Sequence, residues 1–180
     1  VNERNLAELI AVLWPDLIAP GLGVNHCILA ARVLVEVGAY FGFDWRAQAV
    51  DVVVANQAAW ELIQTDVPVS EWPEEAWSTG CHHDLDLPGR GYNGHVVVLG
   101  DHLIMDMAAK QFSRPHRGLV VDGPIVGTTD GFEHGAVFTD DETVVIYRPR
   151  DSLAYRDAPD WRTNYRIETA ALIRALRAAA

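Results

Sequence analysis

The chain has 180 residues, 49% of them hydrophobic and 22% charged, which fits one globular domain with a substantial core over residues 1–180. A formal net charge of −11 excludes the phosphate backbone of nucleic acids and anionic membrane surfaces as partners, because both require a basic face. Two cysteines make no disulfide framework. No secretory leader and no apolar run of membrane-spanning length is visible, so a reducing cytoplasm is the expected compartment.

The first expected helix covers Asn5 to Trp14, with Leu6, Leu9, Ile10, Leu13 and Trp14 at helical spacing, and Pro15 is expected to end or redirect it. A Pro- and Gly-bearing loop through Gly21 and Gly23 leads to Asn25, a plausible N-cap. The helix that follows, Asn25 to Phe41, is apolar on nearly every face apart from Arg32 and Glu36. It is therefore expected to be central and buried, with Gly42 as its stop. Cys27 sits at its start, where unpaired N–H groups and the helix dipole favour a thiolate.

Trp45 to Ala55 reads as a strand and Gln57 to Gln64 as a short helix. Residues 65–91 read as one long polar loop, of the kind that often serves function. Its Trp72 and Trp77 either shape a substrate cleft or simply anchor the loop. Within it, Cys81, His82, His83 and Asp84 are residue types that ligate zinc. Adjacent residues rarely all reach one ion, so no metal is expected.

His95 opens an apolar run, Val96 to Leu99. Gly100-Asp101 then reads as a two-residue turn, and His102 to Asp106 as the returning strand. Symmetry about that turn sets Asp106 opposite His95, where a carboxylate fixes the tautomer of an imidazole and stabilises its charged form. The other histidines, among them His26, His102, His116 and His134, lack such a partner. Residues 108–112 suggest a helical turn, 119–126 and 143–147 further strands, and 127–142 an Asp- and Gly-rich connection. Pro159 precedes a last helix over 161–178 with a stripe of Ile167, Ala170, Ile173 and Leu176.

Cys27, His95 and Asp106 occur in the order nucleophile, base, orienting carboxylate, with the cysteine opening a buried helix. In this the segment GHVVVLGDHLIMDMAAKQF resembles the His–strand–turn–strand–Asp signature of the transglutaminase-like and papain-like cysteine enzymes, and is similar to the matching stretch of arylamine N-acetyltransferases. The aromatic residues that often follow the Cys and His in transglutaminases are replaced by Ile28 and Val96. The resemblance implies an α+β fold with a buried N-terminal helix packed on an antiparallel sheet. It also implies cysteine-dependent transfer or hydrolysis of an acyl group at an amide, isopeptide or thioester bond of a protein, peptide or small acyl substrate, with no cofactor.

In such an enzyme Cys27 is the nucleophile and His95 the general base, oriented by Asp106. The Cys27 N–H is one oxyanion donor. Asn25, as the nearest amide side chain, and Gln111, as a packing or substrate-wall element, are the further candidates. Two alternatives stay open: a binding protein that keeps the fold without catalysis, and a metal-dependent hydrolase built on Cys81 to Asp84.

Overall fold

The computed structural model describes residues 2–21, 26–81, 92–130, 132–139 and 142–179. Helix α1 (Glu3–Leu17) is capped by Asn2, whose side chain accepts the Asn5 N–H at 2.8 Å. Its buried face is Leu6, Ala7, Ile10 and Trp14, as helical spacing requires. Pro15 does not end it. The proline lies in the last turn, where few N–H bonds remain to be lost, and the helix closes with Ile18 N–H bonded to Trp14 O.

Helix α2 (Cys27–Phe41) begins two residues later than expected, with His26 as its N-cap and no side-chain capping bond. Asn25 lies outside the described residues. The helix ends at Gly42, which takes the left-handed conformation at φ 85°, and Phe43 N–H bonds back to Gly38 O. That closure is the glycine stop the sequence suggests.

The sheet starts with β1 (Arg46–Asn56), followed by α3 (Gln57–Gln64), β2 (Ser78–Cys81), β3 (His95–Leu99), β4 (Leu103–Asp106), β5 (Ile125–Thr128), β6 (Ala136–Thr139) and β7 (Thr143–Pro149). All pairings are antiparallel, in the order β5-β4-β3-β1-β7-β6. β1 is the spine. One of its edges pairs with β7, while the other is shared by β3, on residues 46–50, and β2, on residues 52–55. The two ends of the order approach each other, since a Cβ added at Gly127 of β5 would lie 1.8 Å from the ring of Phe138 on β6. The architecture is α+β, with a nearly closed antiparallel sheet.

Alternation along the strands makes two cores. Ala49, Val96, Val98 and Met105 face the helices, and Val50, Val97, Ile104 and Tyr147 face the inside of the curled sheet. α2 lies on β3 and is covered by α4 (Pro159–Arg162) and α5 (Arg166–Ala179). Its apolar circumference is thus accounted for by neighbours on opposite sides. The polar break in it is also used: Glu36 pairs with Arg32 and accepts a bond from Thr169 of α5.

Four further expectations are corrected. The long loop contains β2, four residues in which Ser78, Thr79 and Gly80 hide the strand, and the 127–142 connection contains β6, four residues set between acid- and Gly-bearing neighbours. The strand expected over 119–126 begins only at Ile125, because Pro124 has no N–H for the ladder. The last helix is broken: Thr163 is extended, and the Asn164 side chain accepts the Arg166 N–H to start α5. The buried stripe is Tyr165, Thr169, Leu172 and Leu176, whereas Ile167 is 81% exposed. No helix among the described residues is long and apolar enough to cross a membrane.

Candidate active site

His95 is the first residue of β3, opposite Val50 of β1, and its side chain takes the inward face of the sheet. The hairpin register differs from the expected one. Val98 pairs with Met105 and Leu99 with Ile104, and Gly100 N–H bonds Leu103 O, so the two-residue loop is Asp101-His102. Asp106 is therefore diagonal to His95 instead of directly opposite. A shift of two residues preserves the face, where a slip of one would have sent the carboxylate to the helices. The diagonal is within reach of long side chains, and His95 Nε2 lies 2.8 Å from Asp106 Oδ2.

Both side chains are 1% exposed. Asp106 Oδ2 also accepts the Tyr147 hydroxyl at 2.7 Å, and Oδ1 accepts the Ala108 N–H at 2.9 Å. Three donors thus replace the water lost by burying the carboxylate. A carboxylate only accepts, so Nε2 carries the proton and Nδ1 is left to face the site. The His95 ring is packed edge-on by Phe112, with centroids 5.1 Å apart, and lies near-parallel to Tyr147 at 6.5 Å.

Cys27 reaches this ring from the other layer, at the first residue of α2. Burial pushes the His95 pKa down, but the Asp106 carboxylate and the Cys27 sulfur, acting by charge and by hydrogen bonds, outweigh it and hold the imidazole raised from 6.5 to about 10. Gln111 Nε2 is 3.0 Å from His95 Nδ1. Its amide nitrogen donates to a neutral ring, and half a turn presents the oxygen to a protonated one.

Cys27, His95 and Gln111 open together into a cavity of about 420 Å³, walled by Gly80, Cys81 and Tyr92 among others. Tyr92 donates its hydroxyl to the His95 carbonyl at 3.0 Å, and burial raises its pKa, reinforced by the Cys27 sulfur. The Cys81 thiol donates to Asn93 O at 2.7 Å. Burial, then the charges of Cys27 and Asp51, push it up to about 11.

Trp72 and Trp77 are not among the residues lining this cavity. Trp72 donates its indole N–H to Val67 O, and Trp77 donates to Glu74 O and carries the Arg117 guanidinium 3.7 Å above its ring. Both pin the segment between α3 and β2. Asn25, His82, His83 and Asp84 lie outside the described residues. Among those described, no group of three metal-ligating side chains occurs.

Sequence reading missed Tyr147 and Arg114. Tyr147 meets Asp106 from 41 positions away, and its signal was only an inward-facing tyrosine on a strand. Arg114, on the cavity wall, stands between Lys110 and Arg117 in a stretch that carries basic residues and no acid. In comparison with known proteins, the chain matches no family model, no curated protein and no solved structure.

Proposed function

We propose that the protein is a cysteine-dependent acyl-transfer enzyme of the transglutaminase-like and papain-like kind, working through Cys27, His95 and Asp106. What supports the reading is one observation above all: a buried carboxylate holds the far nitrogen of an imidazole whose near side meets the only thiol that opens a helix, at the floor of a cavity. Unpaired surface residues of these types would not show this linkage, since each link needs the next to justify its burial.

The chemistry follows from the protons. Cys27 sulfur attacks the carbonyl carbon of an amide, isopeptide or thioester, with the Cys27 N–H at the start of α2 available to the oxyanion. The bond to the leaving nitrogen or sulfur breaks, and the proton on His95 Nδ1 passes to that atom. Water or another acceptor then attacks the thioester and gives a proton back to Nδ1, and the thiolate departs. Asp106 stays ionised throughout and keeps Nε2 protonated.

The test is alkylation with iodoacetamide followed by peptide mapping, from about pH 6 to about pH 8, beside hydrolysis of an activated thioester. Cys27 is expected to react at least about tenfold faster than Cys81, whose thiol is pushed up to about 11. Cys27→Ala is expected to abolish thioester turnover. Equal labelling of the two cysteines, or full turnover without Cys27, would refute the proposal.

A further inference from the structure

We infer that this site takes an acyl donor carrying a carboxylate, received by Arg114. The inference rests on the proposed function and adds the class of substrate. Arg114 lines the same cavity as Cys27 and His95. It follows the turn Ala109–Phe112, whose Gln111 and Phe112 touch the His95 ring. One guanidinium nitrogen, Nη1, donates to both Gln111 O at 2.8 Å and Ser113 O at 2.7 Å. The head group is therefore tethered through one nitrogen, and Nε and Nη2 remain to offer the paired donors that match a carboxylate.

The charge pattern points the same way. Asp and Glu outnumber Lys and Arg by 25 to 14 in the chain, yet residues 109–118 hold Lys110, Arg114 and Arg117 and no acid. Arg117 is occupied by the Trp77 ring, and Lys110 borders a different cavity. Arg114 has no carboxylate partner among the described residues, and none of the described residues lining the cavity is Asp or Glu. Asp106 is buried behind His95, and Asp51 is paired with Arg150. Among the described residues of the cavity, a cationic substrate would thus meet Arg114 and a raised imidazole with no acid to receive it. The acidic remainder of the surface is screened over about 8–10 Å, so a local cation decides which charge enters.

The experiment compares pairs of thiol reagents that differ only in charge: iodoacetate with iodoacetamide, and 3-maleimidopropionate with N-propylmaleimide. The rate ratio, anionic over neutral, is measured at Cys27 and divided by the ratio for N-acetylcysteine. The wild-type protein is expected to favour the anionic reagent by about fivefold or more in at least one pair, with the preference fading at high salt. Arg114→Ala is expected to remove the preference. Arg114→Gln, which keeps a donor for the two carbonyls, should remove it too, so loss of the tether alone does not explain the result. A wild-type ratio at or below that of N-acetylcysteine, or one unchanged in both variants, overturns the inference. Cys27 reacting with the neutral reagents no faster than Cys81 overturns the enzymatic reading instead, whatever the ratio.

Discussion

Asp106 receives three donors, from His95, Tyr147 and Ala108, and this makes its replacement by asparagine informative. A carboxamide has one acceptor oxygen, so it leaves at least one of those donors unserved or turns the imidazole over. Asp106→Asn is therefore expected to lower acylation by an activated ester about ten- to a thousandfold, and also to destabilise the fold by about 1–3 kcal/mol. Rapid-mixing acylation and urea denaturation check the two effects separately. Unchanged acylation with reduced stability would reduce Asp106 to a structural anchor. The types and order of Cys27, His95 and Asp106 were legible in the chain, because a thiol at a helix start and a His–Asp hairpin are local patterns. Tyr147 was not, because its bond to Asp106 depends on β7 returning across the sheet. Arg114 was not, because nothing in a stretch of basic residues tells which cation faces the cavity.

Among the elements, those with strong apolar periodicity or clear punctuation were legible: α2 with its Gly42 stop, β1 within one residue, and α3 to the residue. β2 and β6 were not, since each has four residues and owes its pairing to a longer neighbour, β1 or β7. The break between α4 and α5 was hidden by continuous apolar spacing that an asparagine side chain overrides. The α2–β1 junction offers a test of how tightly these pieces fit. A Cβ at Gly38 would lie 2.6 Å from the Trp45 ring. The ring is 3% exposed and tied by its N–H to Glu3 at 2.8 Å, so it has little room to retreat. Gly38→Ala gains about 1 kcal/mol in helix propensity, and overpacking costs about 1–3 kcal/mol. Net loss is expected, read as a Tm lower by about 2–6 °C. A higher Tm would mean the ring moves freely.

For the molecule as a whole, the buried His95 links stability to pH. Its folded pKa is raised above the ordinary 6.5 to about 10, so the folded state holds the proton more tightly than the unfolded chain. The contribution is fully present below about pH 6.5 and is lost as pH rises through about 10. Urea midpoints are expected to fall across that interval, and to fall less in Asp106→Asn, which lacks the charge that raises the pKa. A flat profile in the wild-type protein would show that His95 titrates alike in both states. Cys27 is held by α2 and His95 by β3, so the approach of sulfur to imidazole depends on how α2 packs on β3, through small and branched side chains such as Ala30, Ala31, Val96 and Val98. Reactivity at Cys27 thus works as a gauge of interior packing, and a methyl group misplaced far from any substrate registers as a change of rate. Gly38→Ala, which wedges the same helix, supplies the reading: its Cys27 alkylation rate should depart from wild type under conditions where the protein is still fully folded.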